Sequence, residues 1–282
     1  MTNAMKAEAA LRERTFAANR AVGRVALSIA ASGGVSRRAR VHEAGSLRVR
    51  FPDGHDATQV DAVLVNTAGG MTGGDRFDLD INVDAGARLA VTSAAAEKVY
   101  RSLGPDCEVA VKLAVASGGA LFWLPQETIL FDRVRLHRTI DVELAADASL
   151  LLAEAIVFGR SAMGERVTHG HLLDRWRVHT GGALAFAETF RLDGAIARQL
   201  AEAAVAANGA ATASVLKFPG DDQAIAAVRA MQPRFAGEVG VSAWNGLAAA
   251  RLVAADGVAL RRDLLAVLTA WGAAPLPRLW LN

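Results

Sequence analysis

From about residue 20 to residue 190, apolar and polar residues alternate with a period of two. Phe77, Leu79, Ile81 and Val83 interleave with Asp78, Asp80, Asn82 and Asp84. Cys107, Val109, Val111, Leu113 and Val115 repeat the pattern around Glu108 and Lys112. Val134, Leu136, Ile140, Val142 and Leu144 do so again, with Arg138 the one polar residue in the apolar phase. Successive side chains of a strand point to opposite faces, so each stretch predicts a strand with one buried and one wet face.

These strands recur in a shared plan. The segments VDAGARLAV (83–91), VASGGALFW (115–123), LAADASLLL (144–152) and VHTGGALAF (178–186) each read as strand, small-residue turn and apolar strand opening on leucine. The marker leucines are Leu89, Leu121, Leu150 and Leu184, with steps of 32, 29 and 34 residues. A carboxylate follows each marker, at Glu97, Glu127, Glu154 and Glu188. A repeat of this length with two or three strands per unit predicts stacked strand layers, in a β-helix-like solenoid or a large sandwich.

The last third changes character. Residues 221–231 predict a short helix, capped by Asp221 or Asp222 and carrying Ile225 and Val228 on one side. Residues 256–271 predict a longer one, with Leu260, Leu264, Leu265, Leu268 and Trp271 along one stripe and Gly272 and Pro275 ending it. Strands are expected at 213–218 and within 238–253. The fold class is therefore mostly β, with stacked strand layers and two α-helices in the C-terminal third. Residues 1–20 lack the alternation and read as a flexible N-terminal segment. No Pro/Ser-rich linker interrupts 21–282, which reads as a single β-rich domain.

Composition narrows the function classes. Hydrophobic residues make up 52% of the 282, which suits a folded chain rather than a disordered one. The net charge of +2 is too small to predict nucleic-acid binding. The densest basic run, Arg37, Arg38 and Arg40, reads as a solvated surface or, second, as a site for an acidic partner. One cysteine, Cys107, precludes a disulfide within the chain and suits a reducing cytoplasm. No apolar run reaches the ~20 residues of a membrane helix, and the N-terminus has no signal-peptide core. The expected location is cytoplasmic.

The candidate chemistry is sparse. The loop AGGMTGGDR (68–76) invites comparison with a phosphate cradle. It lacks the Lys-Ser/Thr ending of a P-loop and the GxGxxG spacing, so a tight turn is the preferred reading. Asp75, just after the glycines, either bonds its own loop backbone or offers its carboxylate to a ligand. Glu154 stands in an apolar run, LLLAEAIVF. A buried acid needs a partner or water, and Arg138 and Arg160 are the nearest cations in sequence. Glu165 follows Gly164 on an expected loop. His169 and His171 have chelating spacing but no evident third ligand. No GxSxG elbow occurs. Glu127 and Asp132 are the one carboxylate pair that invites a glycan-acting enzyme on a β-solenoid.

Several motifs together resemble one family. They are NTAGGMTGGDR (66–76), GARLAVTSAAAEKVYRS (86–102), WLPQETILFDRVRLHR (123–138) and EAIVFGRSAMGE (154–165). RWRV, GGAL, ETFRLDG and WNGLAAARLVA continue the likeness. The chain is similar here to the urease accessory protein family UreD, called UreH in some species, over roughly residues 37–282. Many relatives carry a proline pair where this chain has Thr67-Ala68. The resemblance implies a mostly β, helix-like stack with two helices and a noncatalytic chaperone role. It implies binding to apo-urease and to UreF, which recruits the GTPase UreG. It implies no stably bound cofactor, with Ni²⁺ in transit, and no membrane or nucleic-acid partner. By motif match, Asp75, Glu127, Asp132, Glu154 and Glu165 fall along or near an internal nickel route, with Arg160 orienting a carboxylate. Isolated carboxylates suit such cargo, because thiolate or multi-His sites would hold Ni²⁺ tightly. A pure scaffold that never guides metal shares all these features except the role of the interior acids.

Overall fold

The alternating stretches form strands, and successive strands pass to opposite sheets. The computed structural model describes residues 15–16, 19–52, 58–102, 104–272 and 276–281. The flexible segment expected at 1–20 lies largely outside them. Among the described residues the strands in chain order are β1 (Val22–Ser32), β2 (Val35–Gly45), β3 (Leu47–Arg50), β4 (Val60–Asn66), β5 (Arg76–Val83), β6 (Arg88–Ser93), β7 (Glu97–Val99), β8 (Cys107–Val115) and β9 (Ala120–Trp123). They continue as β10 (Thr128–Leu130), β11 (Val134–Leu144), β12 (Ser149–Phe158), β13 (Gly170–Thr180), β14 (Ala183–Gly194), β15 (Ala211–Phe218), β16 (Glu238–Trp244) and β17 (Leu247–Ala254). The helices are α1 (Ile196–Ala201), α2 (Asp222–Arg229) and α3 (Gly257–Ala270).

One sheet runs β14-β13-β11-β8-β5-β1-β2 and the other β16-β17-β15-β12-β9-β6-β4-β3, with β7 and β10 paired beside the second. At the centre of each, neighbours are parallel: β5, β8, β11 and β13 in the first, β4, β6, β9 and β12 in the second. Each turn of chain therefore adds one strand to each sheet, which is the solenoid expected from the repeat. Antiparallel hairpins close both ends.

The repeat is real for three units. Leu89 pairs in register with Leu121, and Leu121 with Leu150. The turns before them also stack. Ala87, Gly119 and Ala148 donate their amides to the carbonyls of Asp84, Ala116 and Ala145, at 3.0, 2.9 and 3.0 Å. Ser117 bonds Asp147 across two of these turns at 2.7 Å. The fourth unit departs from the plan. Leu184 lies in β14, which folds back antiparallel on β13 within the same sheet, and its side chain is exposed. A Gly-Gly turn serves a tight hairpin as readily as a corner between sheets.

Two apolar layers hold the fold. The larger lies between the sheets and takes Leu150, Leu152, Ile156 and Phe158 from β12. The smaller lies between the second sheet and the helices and takes Leu151, Ala153 and Ala155 from the other face of β12, with Leu260, Leu264 and Leu268 from α3. β12 is buried on both faces, so its sequence is a nearly continuous apolar run instead of an alternation. The two expected helices are present, with the extra short α1 in the alanine-rich stretch. Asp221 caps α2 by accepting from the Ala224 amide at 2.9 Å, and Asp256 caps α3 through the Ala259 amide at 2.8 Å. Asp256→Ala leaves that amide without its acceptor and is expected to lower stability by about 1 kcal/mol, measurable by urea denaturation.

The C-terminal segment is docked on this layer. Trp280 is buried and donates its indole N–H to the Leu124 carbonyl at 2.9 Å. Arg261 of α3 stacks over the Trp280 ring at 5.0 Å and donates to the carbonyls of Leu279 and Trp280 at 3.3 and 3.2 Å. The same guanidinium reaches Gln126 at 2.8 Å and Glu127 at 3.4 Å.

Candidate functional site

Three charged side chains occupy inward positions where the strand phase calls for apolar ones. On β11, Arg138 stands between Leu136 and Ile140. On β13, Asp174 stands between Leu172 and Trp176. On β12 of the facing sheet, Glu154 stands between Leu152 and Ile156. Arg138 pairs directly with Asp174 in the parallel register, and all three are about 95% buried. The Arg138 guanidinium grips Asp174 with two bonds, Nε to Oδ1 at 3.1 Å and Nη2 to Oδ2 at 2.5 Å. Its Nη1 donates to Glu154 Oε2 across the gap between sheets. Two indoles complete the cluster: Trp123 donates to Glu154 Oε1 and Trp176 to Asp174 Oδ1, each at 2.9 Å.

Burial alone would weaken the charge of Arg138, but the carboxylates of Asp174 and Glu154 more than offset it, and the guanidinium is held more firmly charged than usual. Glu154 goes the other way. Burial, reinforced by the charge of Asp174, pushes its carboxyl above the ordinary range against the opposing pull of Arg138 and the Trp123 N–H. The bidentate Arg138–Asp174 pair is thus the firm half of the cluster, and Glu154 is its proton-accepting half.

A cavity of about 290 Å³ lies between the sheets on one side of this cluster. Its walls are mostly apolar, including Leu64, Phe77, Leu79 and Leu136, and its polar groups are Asn66, Ser93, Glu97, Lys98, Gln126, Thr128, Arg138 and Glu154. Glu97 is half-buried there, accepting from Asn66 Nδ2 at 3.1 Å. Burial raises its pKa to about 7, against the lowering effects of Asn66 and Lys98. On the other side of the cluster a second cavity of about 110 Å³ is lined by Arg138, Glu154, Asp174, Glu188, Ser214 and Arg251, among others. The register explains this polar file. Glu154 pairs with Ser214, and Ser214 with Arg251, across the second sheet. Facing them, Arg138, Asp174 and Glu188 come from the first. Arg251 donates to Glu188 Oε2 at 2.6 Å, bridging the sheets at the outer end.

The remaining acids singled out from sequence stand elsewhere. Asp75 accepts from the amides of Ala21 at 2.9 Å and Thr72 at 2.8 Å, fastening its own loop to the start of β1. The glycines before it serve the turn: a Cβ on Gly73 would lie 1.8 Å from Ser102 Oγ and 2.3 Å from the Pro105 carbonyl. Glu127 faces α3 and Arg261. Asp132, Glu165 and Arg160 are brought together near the chain's surface. Asp132 accepts from the Thr168 amide and hydroxyl at 2.7 and 2.8 Å and from the His169 amide at 3.1 Å. Its partial burial would raise its pKa, but these donors outweigh that and hold it below the usual range. Arg160 Nε binds Glu165 at 2.5 Å and the guanidinium lies 4.0 Å over the Phe131 ring. Arg160 is therefore tied to Glu165, and Glu154 takes Arg138. His171 binds Asp193 at 3.1 Å. Among the described residues no group of three or more His, Cys, Asp or Glu side chains has the geometry to hold a metal ion.

Comparison with known proteins settles the family. The profile of the UreD urease accessory protein family matches residues 21–281. The chain belongs to the UreD family. It is 56% identical over 269 residues to the urease accessory protein UreD of Rhodopseudomonas palustris (strain ATCC BAA-98 / CGA009), covering 95% of this chain and 96% of that one. It is 54% identical over 278 residues to the UreD of Bradyrhizobium diazoefficiens, covering 99% of this chain and the whole of its relative. Both relatives are named as accessory proteins, which agrees with a noncatalytic role. Among the described residues no helix is long and apolar enough to cross a membrane.

Asp174, Glu97, Glu188 and the two indoles were not selected from sequence as parts of this UreD site, although one signal was available for Asp174. LLDRWRV alternates like its neighbours, and Asp174 falls in its apolar phase as Arg138 does one strand earlier. Two opposite charges in the buried phase of adjacent parallel strands predict a pair.

Proposed function

We propose that this UreD-family protein is a cytoplasmic nickel-insertion chaperone that binds apo-urease and a UreF–UreG complex and passes Ni²⁺ along the polar file between its sheets. Support comes from one observation above all. The row Glu154–Ser214–Arg251 faces Arg138, Asp174 and Glu188, and Arg138 and Glu154 line both cavities. Hard oxygen donors scattered along a path hold a divalent ion briefly, whereas a multi-His or thiolate site would retain it. In this reading Glu154 and Asp174 together outnumber Arg138, so a passing cation meets a net negative point while Glu154 is ionised. Protonating Glu154 cancels that excess. The urease accessory role is the family's; passage and the named partners are the proposal. Of the five acids selected from sequence, Glu154 carries it.

The test is urease activation in cells supplied with nickel, with the chain co-expressed with urease and the other accessory proteins. Glu154→Gln and Glu188→Ala are expected to lower nickel per urease several-fold while both variants still co-purify with their partners. Glu188 is near the rim, so its variant stays informative if the buried one fails to fold. Full nickel content in either folded variant overturns the passage and leaves a scaffold. Loss of co-purification with the parent chain overturns the partner reading instead.

A further inference from the structure

Among the described residues β2 is the last strand of its sheet, bonded to β1 on one side only. Its eleven residues, VSRRARVHEAG, include three arginines within four positions, and Arg37, Arg38 and Arg40 are all exposed. Pairing with β1 sorts their directions. Arg37, Arg40 and His42 lie opposite Ala30, Ser28 and Ala26, on the outer face of the sheet. Arg38 and Val41 lie opposite Ile29 and Leu27, on the inner face. Among the described residues none of the three arginines forms an ion pair, and Arg38 stacks over Phe51 at 4.9 Å. The inner face is uncovered because the facing sheet ends in β3, which is four residues long, and Val41 is left 41% exposed.

An open edge is a template for another strand. Here the charges decide which strand. A second copy of the same edge would set arginines against arginines, and like charges placed directly opposite are destabilising. A bulge between Ser28 and Ile29 further interrupts a continuous self-pairing ladder. An extended segment alternating acidic with apolar residues meets the same bulge but not the charge repulsion. Its carboxylates would fall beside Arg37 and Arg40 on the outer face, and its apolar side chains beside Val41 on the inner one. Arginine offers paired N–H donors that suit carboxylates. We propose that the free edge of β2 is a docking strand for an extended, acidic segment of a partner protein, joined by backbone pairing and clamped by Arg37 and Arg40. Backbone pairing favours a polypeptide over a nucleic acid, which has no matching ladder of amides and carbonyls. This inference does not depend on metal passage.

The probe is a fluorescent synthetic peptide matching β2 in length and alternating glutamate with valine and threonine, titrated into the full chain. Binding is expected, with slowed amide exchange confined to β2 and its flanks. Arg37→Glu/Arg40→Glu is expected to weaken it at least ~10-fold, since opposed charge pairs at an interface are replaced by repelling ones. Both positions are exposed, so the double variant should melt as the parent does. A control variant, Arg175→Glu/Arg177→Glu on β13, should bind like the parent. The inference is overturned by undiminished binding of the β2 double variant, by unchanged exchange of β2 amides at saturating peptide, or by absence of binding to the parent. Tighter binding of a DNA duplex than of the peptide, lost in the same double variant, would reassign the patch to nucleic acid and overturn it too.

Discussion

Arg138→Leu is expected to destabilise the protein by about 3–5 kcal/mol, the cost of breaking a buried ion pair from one side. The substitution removes the donor that serves both Asp174 and Glu154 and leaves two acids facing each other in the core. The loss is the desolvation of orphaned carboxylates more than the intrinsic strength of the pair, which gives a second, sharper expectation. Replacing all three members by apolar residues of similar volume should recover most of the stability, because nothing charged then remains buried. The deficit of the single variant should also shrink as pH falls from about 8 to 5. Protonating Glu154, whose carboxyl already sits above the ordinary range, relieves the repulsion. Urea denaturation of the parent, single and triple variants across that range measures all three effects. A single variant as stable as the parent at pH 8 would mean that water or another cation reaches the acids.

Glu97→Gln is expected to stabilise the protein at pH 8 by on the order of 2 kcal/mol and to leave it nearly unchanged near pH 5. The sign follows from linkage. The folded-state pKa of Glu97 is raised from 4.5 to about 7, so the native state holds its proton more tightly than the unfolded chain. Stability therefore falls as pH rises from the unfolded value through the folded one, and the penalty is complete above about pH 7. One pKa unit corresponds to about 1.4 kcal/mol, and the partial exposure of the side chain lowers the total below the full product. Glutamine keeps an acceptor for Asn66 but has no charge to desolvate. Thermal melts of parent and variant should diverge between pH 5 and 8. Parallel curves over that interval would place Glu97 in free contact with water.

Much of the architecture was legible from local pattern. The period of two marked the strands, and the Leu89–Leu121–Leu150 steps located three coils. The Asp-led starts and leucine stripe marked the two longer helices. The site was only partly legible. Glu154 stood out because an acid in an apolar run is costly, and Arg138 because it broke an alternation. Asp75, Asp132 and Glu165 are also single acids in distinctive motifs. Nothing local separates a carboxylate that caps backbone amides, as Asp75 and Asp132 do, from one that faces a cavity. The difference lies in what the fold brings opposite each.

The residues themselves determine which side chains share a face, because alternation along a strand is a property of backbone geometry. They thereby determine that Arg138, Asp174 and Glu154 turn inward, that β12 is buried on both sides, and where the chain can reverse. Only the tertiary structure decided that Glu154 meets Arg138 rather than Arg160, and that the Gly181-Gly182 turn makes a hairpin rather than a fourth coil. It also decided that Arg138 and Glu154 line both cavities. Those outcomes depend on which strands become neighbours across about 10 Å of core, and that choice is made by the packing of the whole stack.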